Sequence, residues 1–289
     1  MSYVVYVLTA IVMLMSVFFI AIHLGFRAPK VKTIENPKTR FNIDFLSVSI
    51  PVNAKKHLSG WLLLVDDAQE TVIVLHGWGG NAEMMLPLAL PFYQADMNVL
   101  LFDARSHGQS DSDTFSSLPR FAEDVAAAVD WLKREHPHRV KKVALLGHSV
   151  GAGAVLFAAS KRHDIAAVIS VSAFAHPEWM MQRYLKTFHL PRFLRRQVMR
   201  YVEWVIAHRF TTFAPINTVC DIGCPVLIVH GKDDLVIPIE DARAILQHCQ
   251  APHLRLIEID GAGHDSVDKI EQHAGKLIEF LRQAGFAVT

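Results

Sequence analysis

The chain has 289 residues, with 29 Lys and Arg against 28 Asp and Glu and a formal net charge of +1. That balance leaves no electrostatic footprint for a nucleic-acid partner. Cys220, Cys224 and Cys249 are odd in number and form no disulfide framework, and Cys220-x-x-x-Cys224 lacks the second ligand pair of a zinc site.

The first element is apolar. From Tyr3 to Phe26, 24 residues pass without an Asp, Glu, Lys or Arg. At about 1.5 Å of rise per residue, such a helix outreaches the roughly 30 Å of hydrocarbon in a bilayer. No base precedes the run, and Ile22-His23-Leu24-Gly25-Phe26 offers no A-x-A cleavage pattern. The segment therefore reads as an uncleaved single-pass anchor; a cleaved signal peptide and a buried hydrophobic helix are the alternatives. Arg27, Lys30, Lys32, Lys38 and Arg40 follow it, so the positive-inside rule puts the rest of the chain in the cytoplasm and Met1 outside. The expected division is an anchor over 1–27, a basic tether over 28–41 and one α/β domain over 42–289. About 250 residues beyond the anchor suffice for one full core.

Phe41–Ile50 and Leu58–Val65 predict strands, antiparallel at a sheet edge. Thr71–Leu75 is a continuous apolar run of the kind a buried parallel strand shows. Glu83–Gln94 predicts a helix with Asn81 as N-cap. A strand at Met97–Phe102 and an amphipathic helix at Arg120–Glu135 follow, the latter with Phe121, Val125, Ala128 and Trp131 at helical spacing. Lys142–Leu146, Ile165–Val171, Cys224–Gly231 and Leu254–Asp260 read as further strands, with helices at Ala152–Ala159, Ile239–Gln247 and Ser266–Ala284. Strands alternating with helices imply a mostly parallel, doubly wound sheet.

Four glycine-containing corners stand just past strand ends, where an open parallel sheet builds its site. Gly147-His148-Ser149-Val150-Gly151 reads G-x-S-x-G between a strand and a helix, a strained turn that lifts a serine hydroxyl above the sheet. A Cβ at either glycine would crowd helix against strand. A serine nucleophile needs a base, and the base an orienting acid. Downstream, Gly231-Lys232-Asp233-Asp234 and Gly261-Ala262-Gly263-His264-Asp265 supply both in that order. Upstream, His76-Gly77-Trp78-Gly79-Gly80-Asn81 brings backbone N–H groups close; the N–H groups of Trp78 and Val150 are the candidate oxyanion donors.

Over residues 42–285 the sequence resembles the α/β-hydrolase superfamily. Asp103-Ala104-Arg105-Ser106-His107-Gly108-Gln109-Ser110 is similar to that family's D-x-R-G-H-G-x-S loop, with Ser106 where glycine is usual. The nearest branch includes serine aminopeptidase-like proteins, monoacylglycerol lipases and membrane-tethered esterases. The resemblance implies an eight-stranded sheet and a Ser149–Asp234–His264 triad, with Asp234 as acid in preference to Asp233. It also implies cleavage of a small-molecule or lipid carboxylic ester, thioesters included, with no metal or organic cofactor. A peptidase or amidase on the same triad and a non-catalytic binding protein are the alternatives. His76, His107, His148 and His230 are expected to brace loops, and Asp265 to brace His264 or begin a helix.

The same resemblance puts a short cap at about 176–219. From His176 to Phe210 seven Lys and Arg face two acids, seven aromatics interleave with them, and Pro191 splits the segment into two helical pieces. Two readings fit: a lid that packs one face and solvates its charges, or a lid that also touches anionic lipid.

Overall fold

The computed structural model describes residues 2–25, 27–53 and 55–287. Helix α1 (Ser2–Gly25) carries the apolar run; over Tyr3–Gly25 its mean hydropathy is 2.7. By length and composition it can cross a membrane, a test that a signal sequence also passes. Met1 and Phe26, at the ends of the expected anchor, lie outside the described residues, as do Val288 and Thr289.

The expected tether is not bare, and no strand begins at Phe41. Helix α2 (Pro37–Phe41) forms there because Asn36 caps it: the Asn36 side chain accepts from the Thr39 N–H, Thr39 Oγ1 accepts from the Asn36 N–H, both at 2.9 Å, and Pro37 opens the helix. In chain order there follow β1 (Leu46–Asn53), β2 (Lys56–Leu63), β3 (Glu70–Leu75), α3 (Leu86–Gln94), β4 (Asn98–Phe102), α4 (Leu118–Glu135), β5 (Lys142–His148), α5 (Val150–Ala159) and β6 (Ala167–Val171). Then come α6 (Pro177–Thr187), α7 (Arg192–Ile206), the single turns α8 (Phe210–Phe213) and α9 (Pro215–Thr218), β7 (Val226–Gly231), α10 (Ile239–His248), β8 (Leu254–Ile259), α11 (Val267–Glu271) and α12 (Ala274–Gln283).

The eight strands lie in the order β1-β2-β4-β3-β5-β6-β7-β8. β1 and β2 are antiparallel at one edge; β4 to β8 run parallel. This is the α/β-hydrolase fold the sequence predicts. Its central strands are buried end to end because helices cover both faces. On one face Phe121, Val125, Val155 and Ile245 close the core; on the other Leu86, Phe92, Leu277 and Phe280 do. Each such side chain contributes about 1.5–3 kcal/mol by leaving water.

The last expected helix is broken in two. His273 Nδ1–H donates to the Lys269 carbonyl at 3.0 Å, taking the acceptor that a continuous helix would offer to the His273 backbone N–H, which bonds Ile270 instead. Glu83–Met85 likewise forms a 3₁₀ turn ahead of α3.

The N-terminal segment is seated on the domain at two places. The last turns of α1 pack on it: Phe18 and Ile22 touch the core, and the Phe19 ring stands 4.6 Å from that of Tyr201 on α7. Beyond them, Pro29 packs on Gly79, Lys30 Nζ donates to the Ser110 carbonyl at 2.7 Å, and the Ile34 N–H donates to Glu83 Oε2 at 2.7 Å.

Candidate active site

The parallel strands end on one side of the sheet, and that edge gathers the glycine corners. Ser149 sits between β5 and α5 at φ 55° and ψ −117°. For a residue with a Cβ that conformation costs about 1–3 kcal/mol, and the surroundings must impose it. Here the Ser149 N–H donates to the Val171 carbonyl at 2.9 Å. The two motif glycines leave no alternative packing. A Cβ on Gly147 would run into the Gly151 carbonyl, and one on Gly151 into the His76 carbonyl, both far inside contact distance.

His264 Nε2 lies 3.0 Å from Ser149 Oγ, and His264 Nδ1 lies 2.8 Å from Asp234 Oδ2. The carboxylate is fully buried and the imidazole is nearly so. Asp234 Oδ1 accepts from the N–H groups of Val236 and Ile237 at 2.9 and 2.8 Å, so both its oxygens are committed. Burial pushes the Asp234 carboxyl up; the hydrogen bonds from His264 and from the Ile237 N–H outweigh this and hold it below the usual carboxylate range. An ionised carboxylate keeps the proton on His264 Nδ1 and turns the Nε2 lone pair to the serine hydroxyl. Asp233 is exposed, and its N–H donates to Ala262.

The loop after β3 approaches the same serine. A Cβ on Gly77 would come 2.9 Å from Ser149 Cβ, so this backbone runs against the nucleophile-type residue. Trp78 follows it, partly exposed; Val150 begins α5. Two carboxylates pin the loop from behind. Asp103 accepts from the Ala82 and Gln109 N–H groups at 2.7 Å each, tying the Gly77–Ala82 stretch to the 103–110 loop. Arg105 fixes that second loop to α4 by donating to Asp124 through its backbone N–H at 2.8 Å and its Nε at 2.5 Å.

The four flanking histidines brace loops. His76 Nε2 accepts from the Ala104 N–H at 3.0 Å, and its Nδ1 stands 2.7 Å from the Gly77 carbonyl. His107 bonds the Arg105 carbonyl, and His230 the Ile237 carbonyl. His148 Nε2 lies 2.8 Å from the carbonyl of His264 itself, clamping the backbone that carries the base. Burial lowers all four pKa values, those of His76 and His107 to about 4, so these rings are neutral near neutral pH. His230 Nε2 also lies 3.5 Å from Asp234, a proximity that chain position alone did not reveal. A bracing role for His148 was expected, but the G-x-S-x-G pattern gives no sign that its partner is the His264 carbonyl.

His148, His264 and Asp265 bring three potential metal-ligand atoms within 4.8 Å of one another. A cation there would compete with Ser149 and Asp234 for the His264 nitrogens. Asp265 is exposed and adds a favourable charge beside His148; it does not hold His264, a role that falls to Asp234.

Comparison with known proteins agrees with this architecture. The chain is 25% identical over 249 residues to the uncharacterized protein YfhR of Salmonella typhi, covering 82% of this chain and 79% of that one. It is 28% identical over 229 residues to the uncharacterized protein YqkD of Bacillus subtilis, covering 78% and 75%. The esterase Pf2001 of Pyrococcus furiosus superposes with a TM-score of 0.74 at 25% identity, over 89% of this chain and 96% of that one. Est1E of Butyrivibrio proteoclasticus, solved with ferulic acid bound, shares the fold with a TM-score of 0.66 at 21% identity, over 81% and 99%. Residues 66–215 match the family described as serine aminopeptidase, S33. The chain belongs to that family of α/β hydrolases.

Proposed function

We propose that this protein is a membrane-anchored serine hydrolase that cleaves carboxylic esters through an acyl-enzyme. The observation that carries the proposal is the continuous hydrogen-bonded line Asp234–His264–Ser149, ending on a serine held at positive φ. Ser149 Oγ attacks the ester carbonyl while His264 Nε2 takes its proton. The N–H groups of Trp78 and Val150 receive the charge that develops on the carbonyl oxygen. His264 then protonates the leaving alcohol, and the same base activates water to release the acid. Asp234 holds the imidazole tautomer throughout. In this reading residues 1–27 anchor the chain, 28–41 tether it, 42–289 form the catalytic domain with a cap at about 176–219, and that domain faces the cytoplasm.

Ester chemistry is favoured over aminopeptidase chemistry by two observations. An esterase is among the structural relatives at 25% identity. An aminopeptidase also needs a carboxylate free to receive a substrate ammonium, and both cap acids are engaged within the cap: Glu178 with Gln182, Glu203 with Arg209 and the Phe210 N–H.

A fluorophosphonate probe should label the wild type and leave Ser149→Ala unlabelled, with turnover of p-nitrophenyl esters lowered by about six orders of magnitude in the variant. Equal labelling of the two proteins overturns the assignment. Aminoacyl amides cleaved faster than esters would instead favour the peptidase reading. Protease added outside intact cells should leave the domain uncut; digestion there reverses the topology.

A further inference from the structure

The cap exposes a face that no other part of the described chain covers. Helix α7 buries Val198, Met199, Val202 and Ile206 against the domain. Its outward side carries Arg192, Phe193, Arg196, Arg200 and Trp204, with Phe193 71% and Trp204 76% exposed. Trp179, Tyr184, Lys186 and Phe188 extend this surface along and just beyond α6. Among the described residues no carboxylate pairs with Lys186, Arg192, Arg196 or Arg200, whereas Arg183 is bound to buried Asp241. Large exposed aromatics alternating with unpaired bases on one helix face are costly in water and suit a headgroup layer.

The seat of α1 supplies a second, metric argument. Only Tyr3–Val17, 15 residues, is exposed without a break before Phe18 and Phe19 reach the domain. That stretch rises about 22 Å, roughly 8 Å short of a typical hydrocarbon core of ~30 Å. If α1 spans the bilayer, as the proposed function has it, the turn bearing Phe18 and Phe19 must enter the lipid. Tyr201 and the rest of α7 must then come down with it. The shortfall matches the roughly 5–10 Å to which interfacial helices sink.

We infer that the outward face of α6 and α7 is a bilayer-docking surface for a leaflet rich in anionic lipid, lying beside the span and engaged at the same time. The inference rests on the reading of α1 as a span. It deepens the proposed function by giving the cap's position: the lid lies on the surface from which an amphiphilic ester would enter.

The test uses the full chain in lipid nanodiscs. Helix α1 contains no tryptophan, Trp61 and Trp131 are buried, and Trp78 and Trp179 are common to both proteins, so the difference in quenching between the wild type and Trp204→Phe, with lipids brominated near the headgroup, reports on the cap. Quenching should be clear in the wild type and fall at least two-fold in Trp204→Phe. Adding phosphatidylglycerol to phosphatidylcholine discs should deepen it, and Arg192→Gln/Arg196→Gln/Arg200→Gln should remove that increment, as should high salt. Both variants should keep wild-type turnover of p-nitrophenyl acetate, which certifies the fold. Wild-type-level quenching in Trp204→Phe, or none in either protein, overturns the docking surface. Loss of p-nitrophenyl acetate turnover in the wild type would sink the esterase reading while leaving the quenching result intact.

Discussion

The rim around Ser149 and the cap between β6 and β7 are built on opposite terms. At the rim, polar groups are buried and satisfied: Asp234 accepts three bonds, Asp103 two, and neutral histidines clamp one loop to the next. Backbone carbonyls approach Gly147 and Gly151 so closely that a single added methyl has no room. On the cap, side chains as large as Trp204 and Phe193 stand in the open, and among the described residues no carboxylate pairs with Arg192, Arg196 or Arg200 near them. A site that must hold reacting atoms within tenths of an ångström spends its residues on internal order. A surface whose partner comes from outside leaves them free. The two regions should therefore respond to substitution in different currencies, the rim in turnover and stability, the cap in lipid contact alone.

The largest expected effect falls on the acid. Asn at 234 can keep the backbone bonds at Oδ1 but turns an amide NH₂ toward His264, forcing the wrong tautomer. Asp234→Asn should lower kcat by about four orders of magnitude on soluble esters. Asp233→Asn should stay within a few-fold of wild type, and the reverse ranking would mean the wrong carboxylate has been assigned. Next comes the packing of the elbow. Gly147→Ala drives a methyl into the Gly151 carbonyl and should destabilise the domain by about 3 kcal/mol in chemical denaturation. A loss below 1 kcal/mol would show the elbow to be softer than its geometry.

The pH response separates the regions further. Burial first, and then His76, lower the His107 pKa from 6.5 to about 4, and its Nε2 is buried without a partner. Below pH 6.5 the unfolded chain takes up this proton and the folded chain refuses it, so stability is lost as the pH falls toward 4. Between pH 7 and pH 5 the wild type should lose about 2 kcal/mol more than His107→Asn, at 1.36 kcal/mol per pKa unit. Equal losses would mean that His107 is protonated in the fold. The smallest effect belongs to the cap: Phe193→Ser should change stability by less than about 0.5 kcal/mol. A larger change would show that the face packs on protein after all.

Much of the rim was readable in the sequence because its chemistry is local. Each of Ser149, Asp234 and His264 follows an apolar strand and has a glycine within three residues, and parallel pairing carries these corners to one edge. The contacts that stiffen the rim were not readable. His148 reaches the carbonyl of residue 264 and His230 approaches Asp234 across folded space, which no spacing rule encodes. Helix α2 was legible, since Asn36-Pro37-Lys38-Thr39 holds a cap, a proline at the first helical position and a reciprocal partner. The break at His273 was hidden because it depends on which donor wins one carbonyl. Pro191 did announce the division of the cap, but the tilt that turns Trp204 outward and Tyr201 onto Phe19 is tertiary.

The seat of Pro29 on Gly79 has a kinetic consequence. Pro29 lies four residues past the last residue of α1, and four residues reach at most about 14 Å. With α1 in a bilayer and Pro29 seated on Gly79, the loop bearing Trp78 is kept close to the helix end. Molecules dissolved in water meet the site at their bulk concentration, whereas molecules residing in the leaflet meet it at an effective concentration fixed by so short a leash. Rates on leaflet-borne esters should accordingly scale with mole fraction in the membrane, and diluting the suspension at constant lipid composition should leave them unchanged.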